Sequence, residues 1–323
     1  MDKTAVITGV TGQDGSYLAE FLLEKEYKVY GMKRRSASNS LGCSAHLENE
    51  KNFEVVEGDL LDIPSLTALC KIAKPNEFYN LAAQSHVGTS FTQPVYTAQC
   101  TGIGVLNCLE AIRESGFHTR FYQASTSELF GGRIFEATNE RSLFYPRSPY
   151  GVAKLYGHWI TTNYRESYKM FCSIGILFNH ESPRRGSNFV TRKVSLAVAN
   201  IKAGKQKKLY LGNLEAKRDW GHARDYVEGM WMMLQHHTPD DFVLATGRTH
   251  SIKDLCKVAF EYGGLGNYQE YVEIDPRFYR PTEVNVLIGD ASKAREILGW
   301  IPETSFVDLV KEMVDHDIAN LAE

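Results

Sequence analysis

No apolar run in the sequence is long enough to cross a bilayer as a helix, which excludes a helical membrane-spanning architecture. Charge of one sign is also lacking. The net charge is −3 over 323 residues, so neither a general nucleic-acid binder nor a membrane-surface binder is expected. The six cysteines are scattered, with no pair at metal-ligand or redox spacing. Reduced, mostly buried thiols in a cytoplasmic protein are therefore expected. Repeats and low-complexity segments are missing, which argues against solenoids and disordered tails. Met1-Asp2-Lys3 runs straight into a strand pattern, so no signal peptide is expected. What remains is an ordinary globular composition, 43% hydrophobic and 23% charged, long enough for one large or two smaller domains.

Residues 4–9 read as a buried parallel strand. Gly9-Val10-Thr11-Gly12-Gln13-Asp14-Gly15 follows, and then the helical pattern Tyr17, Leu18, Phe21, Leu22. Glycines at this spacing permit a tight turn and let backbone N–H groups approach a pyrophosphate at a helix N-terminus. The triplet alone could be a plain strand-to-helix turn; its setting makes a dinucleotide site the better reading. The next strand, 28–32, ends in Lys33-Arg34-Arg35. An NAD site would place an acid there for the ribose hydroxyls. Arginine suits a 2′-phosphate, so NADP is favoured over NAD, with a solvated basic loop as the alternative.

Strand and helix then alternate. Strands are expected at 53–56, 77–81 and 119–124, with helices at about 64–74 and 94–114. This implies a doubly wound, Rossmann-like parallel sheet whose ligand edge is the carboxyl end of its strands. Asp59, Leu60, Ala82, Ala83 and Gln84 fall on that edge. His86 is read equally well as a loop histidine without chemistry.

The fifth strand runs into Ser125-Thr126-Ser127-Glu128. If it stays extended, Thr126 and Glu128 share one face. Read alone, Glu128 is as well explained as a loop acid bound to backbone N–H groups. Pro149 suits the first position of a helix, which puts Tyr150 in the first turn and Lys154 on the same face. A lysine ammonium there would lower the tyrosine pKa from its usual ~10 and suit it to proton exchange with a hydroxyl.

Long runs carry a resemblance over essentially the whole chain: Gly9 to Gly15, Lys33 to Ser36, Asn80 to Val87, Ser125 to Gly131, Tyr145 to Lys154, Leu177 to Gly186, Phe189 to Lys193, Leu211 to Asn213, Arg218 to His222, Arg280 to Glu283 and Leu298 to Trp300. The chain resembles the extended short-chain dehydrogenases/reductases and, within them, the GDP-mannose 4,6-dehydratase family. The resemblance implies an NADP-dependent lyase acting on GDP-mannose. Tyr150 would take the 4-hydroxyl proton, Lys154 would hold the nicotinamide ribose, Thr126 would bond the 4-oxygen, and Glu128 would remove the C5 proton and assist loss of water. It also implies a cofactor set of Gly9, Thr11, Gly12, Gln13, Asp14, Gly15, Arg34, Arg35, Asp59, Leu60, Leu81, Ala82, Ala83, Gln84, Ser85, Tyr96, Tyr150, Lys154, His180 and Arg185. Ser85, Asn179, Lys193, Arg218, Arg280 and Glu283 would hold the substrate. Phe130 stands where some relatives have tyrosine. Ser36 to Glu50 carries no pattern of its own; in relatives such a segment can reach a neighbouring subunit's cofactor site, and a homo-oligomer, dimer or tetramer, is expected.

A helix over about 150–168 and a strand at 171–177 complete the first part. An NADP-binding domain at 1–178 and a smaller nucleotide-sugar lobe at 179–323 are expected, with chain exchange between them. Arg184, Arg185, Arg192, Lys193, Lys217 and Arg218 are candidates for a diphosphate, though each alone could be a solvated charge. Trp220 and Trp300 read as packing, His236-His237 suggests no metal site, and helices are expected at about 252–263, 291–298 and 305–317. Two rival readings remain: a GDP-4-keto-6-deoxymannose reductase, which needs no Glu128, and a non-catalytic NADP sensor, which would not need Thr126, Glu128, Tyr150 and Lys154 together.

Overall fold

The structure is a computed structural model that describes residues 3–38, 40–132, 136–279, 282 and 284–321. Strands β1 (Thr4–Thr8), β2 (Lys28–Lys33), β3 (Phe53–Glu57), β4 (Glu77–Asn80), β5 (Arg120–Ala124) and β6 (Cys172–Leu177) form where the sequence predicts them. After the short strands β7 (Asn179–Glu181), β8 (Leu209–Leu211), β9 (Lys217–Arg218) and β10 (Trp220–His222), the chain returns to the large sheet with β11 (Asp241–Leu244). Seven parallel strands result, in the order β11-β6-β5-β4-β1-β2-β3.

Alternation along the strands feeds two cores. Ala5, Ile7, Tyr79 and Tyr122 enter one face, covered by α1 (Gln13–Glu24) and, from later in the chain, by Tyr226, Met230 and Leu234. Val6, Phe78 and Phe121 enter the other, against Leu66 and Leu69 of α2 (Ile63–Ala73) and later helices. Burial on both faces explains why the strand centres, Ala5-Val6-Ile7, Phe78-Tyr79 and Phe121-Tyr122, carry consecutive rather than alternating apolar residues. Each large side chain so buried contributes roughly 1.5–3 kcal/mol.

The helix expected at 94–114 is segmented. It comprises α4 (Pro94–Thr97), a π-turn at Ala98–Ile103 and α5 (Gly104–Ser115), and is preceded by a short additional helix, α3 (Val87–Thr92). Next, α6 (Pro149–Ser167) begins as expected: Ser148 accepts from the Gly151 amide at 3.0 Å, and Pro149 takes the first turn.

A third core, containing Val194, Val198, Leu255, Phe260, Leu309 and Met313, organises a C-terminal lobe. It joins α7 (Val190–Lys202), α9 (Ile252–Tyr262) and α11 (Phe306–Leu321). Between them, α8 (Ala223–Gln235) packs on α1 of the sheet domain, and α10 (Ser292–Leu298) packs on β11 and α8. The remaining strands, β12 (His250–Ser251), β13 (Val272–Ile274) and β14 (Val286–Leu287), pair in small two- and three-stranded sheets.

Candidate active site

A cleft of about 840 Å³ runs along the carboxyl ends of β1, β4 and β5 and under the lobe. That lies in the upper part of the range for small-molecule sites. Its floor is tied together by buried hydrogen bonds. The Thr8 hydroxyl donates to Asn80 Oδ1 at 2.7 Å and accepts the Leu81 and Ala82 amides, each at 3.1 Å. Asn80 passes the chain on to Gln123 Oε1 at 2.8 Å.

The glycine turn admits no side chain at two positions. Gly9 has φ +71°, and a Cβ there would lie 2.9 Å from the Ala82 backbone; a Cβ on Gly15 would lie 2.4 Å from the Gly9 carbonyl oxygen. The turn's own carbonyls are occupied from behind by the segment without a sequence pattern. Ser44 Oγ donates to Val10 O at 2.7 Å and the Cys43 amide to Thr11 O at 3.0 Å. The N-terminus of α1 is thereby left facing the cleft, as a pyrophosphate requires. At the end of β2, Lys33 and Arg34 line the cleft, and Arg34 Nη1 donates to the Tyr96 hydroxyl at 2.7 Å. This is the acid-free end expected of a 2′-phosphate site, so the residues fit NADP.

Of the cofactor set, Gly9, Thr11, Gly12, Gln13, Asp14, Gly15, Arg34, Asp59, Leu60, Leu81, Ala82, Ala83, Ser85, Tyr96, Tyr150, Lys154, His180 and Arg185 line the cleft. Two do not. Arg35 is exposed outside it, and the Gln84 side chain turns away to bond His86 O and the Thr97 hydroxyl.

Thr126 and Glu128 both line the cleft, but not through strand alternation. Backbone pairing ends near Ala124 and the chain enters a 3₁₀ turn, Ser127–Leu129, in which Thr126 Oγ1 accepts from the Glu128 amide at 3.2 Å. Both side chains are at least nine-tenths buried. Tyr150 faces them from the first turn of α6. The expectation of an acidified Tyr150 is not met in the protein alone. Burial pushes its phenol up to about 12, with the Glu128 charge adding to this and a Thr126 hydrogen bond opposing it. Lys154 is not aimed at the phenol. Its Nζ donates to Ala124 O at 2.8 Å and lies 5.8 Å from the Tyr150 ring centre. Burial pulls its ammonium down to about 8.

On the lobe side, Asn179, Lys193 and Arg218 line the cleft, while Arg280 and Glu283 lie outside the described residues. The Lys193 ammonium sits 3.6 Å from the Phe278 ring centre, and Arg185 sits 3.6 Å from that of Phe189 while pairing with Glu181 at 3.0 Å. The other cations are not brought there. Arg184 pairs with Glu20 at 2.6 Å, Arg192 pairs with Asp317 at 2.6 Å, and Lys217 lies outside. Phe189, Leu211 and Phe278 line the cleft although no site role is expected for them from the sequence, where Phe189 and Leu211 appear only within runs that carry the resemblance. Apolar residues in loops and short strands carry no local signature. His86 caps α3, its Nδ1 accepting from the Thr89 amide at 3.1 Å, and also lines the cleft.

Trp300 is buried with its indole N–H donated to Asp225 O at 2.8 Å, and Trp220 stacks on Phe306; Trp220 also reaches the cleft. Phe130 packs between Phe144 and Phe178. Among the described residues no cluster of His, Cys, Asp and Glu could hold a metal, and no helix is long and apolar enough to cross a membrane.

Residues 6–313 match the family model described as GDP-mannose 4,6 dehydratase. GDP-mannose 4,6 dehydratase 1 of Arabidopsis thaliana is 52% identical over 98% of this chain and 90% of its own length. GDP-mannose 4,6-dehydratase of Sinorhizobium fredii is 52% identical over 99% and 97%. Among solved structures, UDP-glucose 4-epimerase of Thermotoga maritima with UDP-glucose superposes with a TM-score of 0.86 at 25% identity, covering 98% of this chain and 99% of that one. With a family match spanning nearly the whole chain, this protein belongs to the GDP-mannose 4,6-dehydratase family.

Proposed function

We propose that the protein is an NADP-dependent lyase that converts GDP-mannose to GDP-4-keto-6-deoxymannose. The observation that carries this is the buried Glu128 carboxylate on the same cleft as Tyr150, Lys154 and the glycine turn. A plain reductase needs no second acid–base group there.

Tyr150 takes the proton of the sugar 4-hydroxyl, and the Thr126 hydroxyl bonds the 4-oxygen. Because burial holds Tyr150 near 12, its ionisation depends on added positive charge. The Arg185 guanidinium already draws the phenol down, and the Lys154 ammonium, one turn along the same helix, is the second cation that could add to it. Glu128 then removes the C5 proton, made acidic by the C4 ketone, and passes a proton to the departing 6-hydroxyl. Bound NADP would supply the hydride acceptor at C4 and the donor at C6, so none is consumed, and a proton equivalent to the one Tyr150 took returns to C5, which restores the starting protonation of the site. Gly9, Thr11, Gly12, Gln13, Asp14 and Gly15 hold the pyrophosphate side, and Arg34 the 2′-phosphate. Asp59, Leu60, Leu81, Ala82, Ala83, Ser85, Tyr96, His180 and Arg185 complete the cofactor set. Ser85, Asn179, Lys193 and Arg218 bind the substrate, together with Arg280 and Glu283. The division of labour falls near residue 178, with cofactor residues mostly before it and substrate residues mostly after.

The protein also self-associates. An apolar stripe on α6, formed by Val152, Tyr156 and Trp159, is 40–56% exposed, with Val95 and Ile103 exposed on the neighbouring helical segment. A cytoplasmic location accords with six free cysteines, four of them buried.

Incubation with GDP-mannose and NADP, without added NADPH, tests the assignment. The 4-keto product should form with no net change in NADPH absorbance. Tight NADP binding without turnover would leave a sensor. Consumption of the 4-keto sugar at the expense of NADPH would leave a reductase.

A further inference from the structure

The glycine turn is fastened to the first strand of the substrate lobe by side chains from both. Gln13 Nε2 donates to His180 O at 3.1 Å and to Asp14 Oδ1 at 2.9 Å. Ser182 Oγ donates to Gln13 Oε1 at 2.9 Å. His180 lies within the fastening, its Nδ1 2.8 Å from Phe178 O and its Nε2 2.8 Å from Asp14 Oδ2. The ring is stacked on the buried Tyr226 at 4.7 Å between centres.

These contacts fix the protonation. A carbonyl only accepts, so Nδ1 carries a hydrogen. A neutral ring would then turn the bare Nε2 lone pair onto a carboxylate oxygen. A proton must lie between them. Burial works against charge on both partners, yet the facing His180 brings Asp14 down to about 2, and the Asp14 carboxylate holds His180 above the usual imidazole range. The Arg185 guanidinium also faces the pair, favouring the carboxylate and opposing the imidazolium, but it is itself paired with Glu181. Tyr226 contributes a ring face.

We infer that His180 is a positioning residue, held as an imidazolium by Asp14, that couples the seating of the cofactor to the seating of the nucleotide sugar. The inference rests on the functional reading above. One end of the fastening is the turn that receives the pyrophosphate; the other is β7, which carries Asn179 and pairs with β10 next to Arg218. Ordering either end lowers the entropy lost when the other is ordered, so each ligand tightens the other reciprocally.

The test is a thermodynamic cycle with NADP⁺ and GDP as probes, followed by calorimetry. In the wild type, saturating GDP should tighten NADP⁺ binding by roughly fivefold or more. In His180→Gln that ratio should fall below about twofold, with NADP⁺ alone bound more weakly because His180 also lines the cofactor site. Asp14→Asn, which keeps a hydrogen bond but removes the charge, should fall between them. A merely structural role would weaken both ligands and leave the ratio intact, and that result overturns the inference. Should the variants not fold, ¹⁵N spectra of the wild-type imidazole, assigned through backbone-to-ring couplings, decide. Both His180 nitrogens should be protonated at pH 7, and a neutral ring overturns the proposal. A wild type that binds NADP⁺ without coupling to GDP defeats the latch alone. One that binds no NADP⁺ defeats the functional reading as well.

Discussion

On the sheet side of the cleft, many ligand-facing groups are backbone amides and short side chains, fixed by the buried Thr8–Asn80–Gln123 chain and by Ser44 and Cys43 behind the glycine turn, and its long cations Arg34 and Lys154 are each tied to a neighbour, Tyr96 and Ala124 O. On the lobe side they include long cations engaged with neighbours: Arg185 with Glu181 and Phe189, Lys193 with Phe278, Arg218 with Lys217 O. The sheet wall spends little side-chain entropy and suits chemistry that demands fixed geometry. The lobe wall offers charge on stems oriented by partners, which suits grip on a large anionic substrate. Substitutions on the sheet wall should therefore change turnover or cofactor choice, and those behind the lobe wall affinity or stability.

The sharpest test of that contrast is Glu128→Gln. It should lower kcat roughly 10³-fold with KM for GDP-mannose little changed, measured by product formation. Unchanged turnover would remove Glu128 from the mechanism. Behind the other wall, Arg192→Ala removes the charge partner of Asp317, which is 1% exposed and is then left with the Ser195 hydroxyl, and should destabilise the fold by about 3 kcal/mol in denaturant titrations while sparing KM. A raised KM without destabilisation would make Arg192 a substrate ligand after all. Arg34→Ala should weaken NADP⁺ by about 2 kcal/mol, roughly thirtyfold, and leave NAD⁺ affinity unchanged. Equal loss of both cofactors would break the assignment of Arg34 to the 2′-phosphate. The smallest effect concerns pH. Lys154 is ammonium below about 8 and becomes amine above it. A charged donor binds more tightly than a neutral one by about 1 kcal/mol, so NADP⁺ affinity should fall roughly three- to fourfold between pH 7 and 9. Lys154→Met should flatten that portion of the profile.

Legibility in the sequence follows the same divide. Six strands, the glycine turn and the start of α6 were readable because periodicity, glycine spacing and a Ser-Pro start are local signals. The shared cleft of Thr126 and Glu128 is expected on the wrong geometry, since nothing local announces that the extended backbone ends at Thr126 and a 3₁₀ turn takes over at Ser127. The roles of Arg184 and Arg192 were not readable. Their partners, Glu20 and Asp317, lie 164 and 125 residues away, and only tertiary structure shows which cations are already spoken for. Tyr150 shows the limit from the other side: the spacing to Lys154 was right, but burial overrides it in the protein alone.

The strand β11 also bears on how the chain is made. It closes the sheet beside β6, whose residues from Cys172 to Leu177 are all buried. During synthesis β6 emerges more than sixty residues before its neighbour. For that interval an apolar strand with an unpaired edge stands open, a template for pairing with another chain. A fragment ending at residue 178 would keep that edge permanently and should aggregate, whereas one extended through residue 245 should be markedly more soluble.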